Sequence, residues 1–334
     1  MSQKQSSIAS SLSFNSKKSC LCCALQNGFR ILNVEGFTKR FKRVFIGKGV
    51  RIMSLLGNSN IIAVVKLGFS KKVSLWDDYQ SKMIVEMDFD SSVTAVRLFL
   101  DKIVVASMNK ITILSFRDLH RIAEIPTANN STGLLATREG NRDNLELLIF
   151  PGKISGHIAV LEYQKKTVKY EWVAFDQPIG VGSLNSTGNL FAIANQDGTS
   201  IRVFHVRSGI CLCKFKRGKQ KATIFDLTFS PDSKLLVVTS SRGSIHVFKL
   251  PPDLNDRTVK KTNKKGIKFG KFGTKMIRSV MKCPLQNTTK SISEFIKNKF
   301  HIFTLDGWHY TFSISQELNT ITQDGEPTRF LKEK

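Results

Sequence analysis

The sequence predicts an all-β fold, a seven-bladed β-propeller with a long basic loop between its sixth and seventh repeats. Three observations predict it. A unit made of a small or polar turn and a short alternating apolar strand recurs seven times. A second apolar strand precedes it, and helical periodicity is almost absent. The copies follow one another roughly every 40 residues, the length of a four-stranded blade.

In chain order the unit reads NGFRILNV (27–34), SKKVSLW (70–76), NKITILSF (109–116), SGHIAVLEY (155–163), DGTSIRVF (197–204), RGSIHVF (242–248) and DGWHYTFSI (306–314). The strands before it include NIIAVVKL (60–67), DKIVVAS (101–107), LELLIF (145–150), GNLFAIAN (188–195) and SKLLVVTS (233–240). This assigns residues 1–10 to a flexible N-terminus, 11–322 to the propeller and 323–334 to a C-terminal tail. Trp76, Trp172 and Trp308 are expected to pack within blades.

One interval is stretched. Gly243 and Gly307 lie 64 residues apart, so the excess must leave the blade as a loop. Residues 251–278 hold nine Lys or Arg against two Asp. Phe269, Phe272 and Met276 share one helical face there, with Lys268, Lys271 and Lys275 beside them. Gly266, Gly270 and Gly273 weaken any helix in isolation. Cationic residues with apolar rings suit a membrane interface, where lysines meet headgroups and rings enter the acyl boundary. A solvated loop is the alternative.

Composition narrows the function classes. The 334 residues are 41% hydrophobic, enough for a large core, and no run of about 18 apolar residues suggests a spanning helix. The opening MSQKQSSIASS lacks the basic-then-apolar order of a secretory signal, so a cytosolic protein is expected. A net charge of +25 favours a polyanionic partner, either nucleic acid or an anionic membrane. KRFKR (39–43) and KKTNKK (260–265) would serve a phosphate backbone as well as a lipid surface. Cys20 and Cys23 form a C-x-x-C, but no second ligand pair has metal-site spacing. Free thiols on strands are expected, with no metal or cofactor. There is no P-loop, G-x-S-x-G or H-E-x-x-H, so an enzyme is not expected.

The densest cationic cluster opens KFKRGKQKATIFDLTFSPDSKLLVVTSSRGSIHVF (214–248). Together with LSFNSKKSCLCCALQNGFRILNVEGF (12–37), KVSLWDDYQSKMIVEMDFDSSVTAVRL (72–98) and FPGKISGHIAVLEY (150–163), it resembles the PROPPIN family, closest to its plant members. These are WD40-like propellers that bind phosphoinositides in autophagy and endolysosomal traffic. The resemblance spans roughly residues 10–330. It implies two headgroup sites on the propeller rim, one on each side of a two-arginine motif. Adjacent residues of an extended strand point opposite ways, so neighbouring cations can serve separate pockets.

Carried over by residue, one site implies Arg217, Ser240, Ser244 and His246. The other implies Lys216, Thr199, Asn195 and Arg202. On that second side the sequence departs from the family. Lys216 replaces an Arg, Asn195 a Ser, and Phe175 a His, so this site is expected to be the weaker one. Arg202 could instead pair with an acidic neighbour.

The implied partners are phosphoinositide-containing membranes and autophagy lipid-transfer or conjugation-machinery proteins. The chain would be a monomer recruited from the cytoplasm to preautophagosomal, endosomal or vacuolar membranes, without a nucleic-acid partner. The stretch AVVKLGFSKKVSLW (63–76) is shorter than the family's second-blade loop, so the lipid-transfer contact does not carry over directly. The rival reading is a basic scaffold that binds nucleic acid or proteins without phosphoinositide specificity.

Overall fold

The computed structural model describes residues 8–45, 49–139, 146–163, 167–251, 276–315, 317 and 319–331. The strand pairs of the repeats become seven sheets, formed in chain order. The first joins β1 (Ala9–Phe14), β2 (Cys20–Leu25), β3 (Gly28–Asn33) and β4 (Lys39–Val44). The second joins β5 (Val50–Leu55), β6 (Ile61–Lys66), β7 (Lys72–Asp77) and β8 (Lys82–Asp88). The third joins β9 (Val93–Leu98), β10 (Lys102–Ser107), β11 (Lys110–Ser115) and β12 (Arg121–Pro126). The fourth joins β13 (Ala136–Arg138), β14 (Leu147–Pro151), β15 (His157–Glu162) and β16 (Thr167–Val173).

The fifth sheet contains β17 (Ile179–Leu184), β18 (Leu190–Asn195), β19 (Ser200–His205) and β20 (Cys211–Lys216). The sixth contains β21 (Ile224–Phe229), β22 (Leu235–Ser240) and β23 (Ser244–Lys249). Two short strands follow the insert. β24 (Ile277–Arg278) joins the fifth sheet in parallel with β20, and β25 (Met281–Pro284) completes the sixth. The seventh is built from β26 (Ser291–Ile296), β27 (Lys299–Thr304), β28 (Trp308–Ser315) and β29 (Thr320–Gln323), with β30 (Thr328–Arg329) pairing β28. A 3-10 turn spans Glu35–Phe37.

The strand sequences explain their places. β2, β10, β18 and β22 are buried along their whole length and read as continuous apolar runs. Such runs belong to strands covered on both faces. The fourth strands β4, β8 and β12 are half exposed and charged.

Both chain ends depart from the sequence reading. β1 begins at Ala9, where the alternating serines of ASSLSF masked the strand pattern. The Ala9 N–H donates to Leu305 O at 2.7 Å. β29 ends one residue past the expected propeller boundary, β30 lies where a tail was expected, and Leu331 is buried beyond them. Ile277 and Arg278, expected within the insert, are the strand β24.

The chain comprises two compact units. One holds Met1–Leu135, Phe303–His309 and Pro327–Lys334. Its core includes Cys22, Phe29 and Ile31 against Met53, Ile62 and Val64, then Ala63, Val65 and Leu75 against Val96, Ile103 and Val105. The other holds Ala136–Ile302 and Tyr310–Glu326. There Leu190, Ile201 and Phe215 of the fifth sheet pack on Ile224, Leu236 and Phe248 of the sixth. The Phe215 and Phe248 ring centres are 4.7 Å apart. Each such side chain contributes roughly 1.5–3 kcal/mol by leaving water. This packing sets the relative positions of the strand ends described next.

Candidate anion-binding site

β20 alternates Cys213 and Phe215 into the core and leaves Lys214 and Lys216 partly exposed. Arg217 follows at the strand end and turns inward. Its N–H donates to Thr199 O at 3.0 Å. The Nε donates to Gly198 O at 2.6 Å, and one terminal nitrogen donates to Gln220 O at 2.5 Å. The turn can approach this closely because residue 198 is glycine. Its φ is +63°, and a Cβ there would lie 1.9 Å from Ala222 O. Arg217 is buried with its donors directed by backbone oxygens. Burial, then the neighbouring Arg242, hold its pKa below the ordinary guanidinium value.

Arg217 lies near enough to His246 of β23 for its charge to act on that ring. Ser240 and Ser244 are paired across the hairpin. The Ser240 Oγ is buried without a hydrogen-bond partner. Ser244 Oγ lies 3.1 Å from His246 Nε2, and Ser279 Oγ lies 3.3 Å from His246 Nδ1. Lys282 of β25 stands opposite His246 in the ladder. The His246 pKa is pushed down to about 4, first by burial and then by the charges of Lys282 and Arg217. Every neighbour that shifts Arg217 or His246 is cationic. The sequence-predicted residues Arg217, Ser240, Ser244 and His246 are therefore brought together.

A desolvated cation, a neutral imidazole, an idle buried hydroxyl and further basic groups form a site suited to a phosphate. Phosphate oxygens accept charge-assisted bonds and would offset the like-charge repulsion. Ser279, Lys282 and Arg242 escaped the sequence reading. The first two follow the insert, and nothing in their local sequence links them to the motif.

The other side of β20 is built differently. Asn195 is buried, its Oδ1 accepts from Ser200 N at 3.0 Å, and its Nδ2 donates to Thr199 Oγ1 at 3.4 Å. Its amide therefore pins the 196–200 turn. Arg202 donates to Ala174 O at 2.7 Å, and its guanidinium carbon lies 4.6 Å from the centre of the buried Phe175 ring. Its Nε is buried without a partner. Arg202 has no acidic partner among the described residues. Phe175, read from sequence as a lost histidine, is the platform that supports this arginine. Lys216 pairs with Ser200 on one side and with Arg278 of β24 on the other.

Phe269, Phe272, Lys268, Lys271 and Lys275 lie outside the described residues. Met276 is described and exposed, directly before β24. The insert thus rejoins the fold beside Lys216.

Comparison with known proteins places this geometry. The PROPPIN family model matches residues 8–288. The chain is 29% identical over 251 residues to Autophagy-related protein 18e of Arabidopsis thaliana, a match covering 73% of this chain and 66% of that protein. For SVP1-like protein 2 of Neurospora crassa the figures are 30% identity, 71% and 55%. The chain therefore spans between about half and two thirds of these relatives. Among solved structures, Kluyveromyces lactis Hsv2 superposes with a TM-score of 0.77 at 23% identity, over 97% of this chain and 100% of that one. KlAtg21, solved in complex with the coiled coil of AgAtg16, gives 0.77 at 20% identity over 97% and 99%. These likenesses show the seven-bladed propeller fold. With most of its length matched by the family model, the chain belongs to the PROPPIN family.

Proposed function

We propose that this chain is a peripheral membrane protein that binds phosphatidylinositol 3-phosphate, the 3,5-bisphosphate, or both, and acts as an adaptor in autophagosome formation and endolysosomal traffic. One observation carries the reading. Arg217 and Lys282 both act on His246, whose ring meets Ser244 across the hairpin from the idle Ser240 hydroxyl, and no carboxylate is among the groups that shift Arg217 or His246. Arg217, Ser240, Ser244 and His246 hold the stronger headgroup. Lys216, Thr199 and Arg202 hold a weaker one, with Asn195 shaping its turn.

The insert adds membrane affinity through Phe269, Phe272 and Met276, with Lys268, Lys271 and Lys275 against anionic lipid. The protein works at preautophagosomal, endosomal or vacuolar membranes. Its protein partners belong to the conjugation or lipid-transfer machinery. The KlAtg21 complex supports a coiled-coil segment as one of them.

Flotation with liposomes that contain or lack phosphatidylinositol 3-phosphate tests the reading. Lys282→Glu is the informative variant, because Lys282 is exposed and its replacement should leave the melting temperature unchanged. Phosphoinositide-dependent flotation should fall ten- to a hundredfold. Equal flotation with and without the phosphoinositide would favour a basic scaffold instead.

A further inference from the structure

The fourth strand of the first sheet carries charge that the proposed lipid site does not use. β4 reads KRFKRV, four cations and no carboxylate. In the same unit, β8 (KMIVEMD) and β12 (RIAEIP) mix basic with acidic residues. Glu86 of β8 pairs with Lys66 and Lys72, and Glu124 of β12 pairs with Lys110 and Arg121. Mixed charge is enough to keep a sheet edge from stray pairing. The excess on β4 therefore needs another reason.

A cleft of about 490 Å³ lies beside β4, lined by Lys39, Arg40, Lys42, Arg43, Asp78 and Tyr79 among others. Asp78 is the one carboxylate of the lining, and it is already neutralised. Arg43 Nε lies 2.9 Å from Asp78 Oδ1, and an Arg43 terminal nitrogen donates to Oδ2 at 3.1 Å. The Trp76 indole N–H donates to Oδ1 at 3.3 Å. Arg40 is fixed by neutral groups. It donates to Cys20 Sγ at 3.3 Å and to Asn58 O, and its guanidinium carbon lies 5.1 Å from the Phe41 ring centre. Lys39 and Lys42 have no acidic partner among the described residues. Tyr79, 88% exposed, stands at the rim.

Three uncompensated cations thus line a cleft whose fourth cation is spoken for. We propose that this cleft binds a compact, multiply phosphorylated anion, either free or as a lipid headgroup. Its volume lies within the roughly 300–1,000 Å³ of small-ligand sites. Each phosphate brings about −1.5 to −2 charge, and the planar Arg40 fork suits its oxygens. A compact ligand fits better than a polymer, because β8 of the adjoining sheet is acid-balanced and does not extend the cationic track.

The experiment is titration calorimetry of the full chain with inositol hexakisphosphate in near-physiological salt, in a Lys282→Glu background that weakens the candidate lipid site. Lys39→Gln/Lys42→Gln should lower affinity at least tenfold without moving the ligand-free melting temperature. The charge-matched pair Lys17→Gln/Lys290→Gln should leave affinity unchanged. If both pairs lose affinity equally, or neither does, binding is general attraction to a basic chain and the site is overturned. Tighter binding of poly-glutamate or oligo-uridylate at the same residues would overturn the compact-ligand assignment. Parallel flotation assigns the source. Loss of phosphoinositide-vesicle binding in the Lys39/Lys42 variant marks a headgroup, and loss for the soluble anion alone marks a free ligand. This outcome is independent of whether Arg217 and His246 bind lipid.

Discussion

On one side of the Lys216–Arg217 pair, Arg217 is locked onto two backbone carbonyls and faces hydroxyls and a neutral histidine. On the other side, Arg202 lies over a phenylalanine ring, while Asn195 uses its amide to brace a turn. Both sides are cationic, and both hold a buried polar atom without a partner, Ser240 Oγ on one and Arg202 Nε on the other. They differ in what remains free. The Arg217 side keeps the idle Ser240 hydroxyl and an imidazole whose partners among the described residues are the Ser244 and Ser279 hydroxyls, which can turn to a ligand. The Arg202 side has committed the Asn195 amide to its turn and one guanidinium nitrogen to Ala174 O. Two pockets can share one strand and one charge sign yet differ in affinity, because ligand binding depends on donors not yet satisfied by the fold.

The largest effect expected from breaking this comparison is at Arg217. Arg217→Ala removes the ligand contact and leaves Gly198 O and Gln220 O without their donors. Vesicle binding should fall about a hundredfold or more, and stability by about 1–3 kcal/mol. Flotation and thermal melting check both. Loss of binding at unchanged stability would mean the two carbonyl contacts contribute little.

Next comes pH. His246 has its pKa near 4 in the folded chain against a usual 6.5, so the unfolded state takes up a proton first. Its contribution to stability is intact above about pH 6.5 and is lost as pH falls toward 4, by at most about 3 kcal/mol. Buried Asp226, raised to about 6 by burial, acts in the opposite sense across an overlapping window. The difference between wild type and His246→Gln therefore isolates the histidine. The variant should lose less stability between pH 6.5 and 4.5 in denaturant titrations. An anion would favour protonated His246, so wild-type vesicle binding should strengthen toward pH 6 more than the variant's.

Smaller effects sharpen the contrast. Arg202→Met keeps much of the packing on Phe175 and removes the charge. It should weaken vesicle binding about three- to tenfold, and calorimetry with a short-chain phosphoinositide should show the weaker of two sites lost. If a single site remains in both proteins, Arg202 is only a support for the 174–175 backbone. The smallest change is Ser240→Ala. Deleting an unsatisfied buried hydroxyl should leave the melting temperature unchanged or slightly higher, while affinity falls a few-fold. A drop in stability would show that the hydroxyl has a structural partner.

The alternation of NGFRILNV, DGTSIRVF and RGSIHVF was enough to place seven sheets, because the side-chain period of a strand is set by its own backbone. The same rule put Ser244 and His246 on one face two residues apart, and it separated Lys216 from Arg217. Turn glycines such as Gly198 were equally legible, since a left-handed φ is a local demand. The start of β1 and the closing β30 were not, because serine-rich ASSLSF carries a weak alternation and a two-residue strand carries none.

The sequence by itself thus determined most of the strands, the blade count and the Arg217, Ser240, Ser244 and His246 part of the candidate site. Only the tertiary structure decided which groups complete it. Ser279 and Lys282 reach His246 because β25 returns after the insert to pair with β23, and Arg278 reaches Lys216 through β24. Phe175 meets Arg202 from the connection between β16 and β17, and Gly198 and Gln220 converge on Arg217 from separate turns. Such neighbours are fixed by how sheets pack and where a long insert rejoins them. Pairing between distant segments leaves no period in the chain to read.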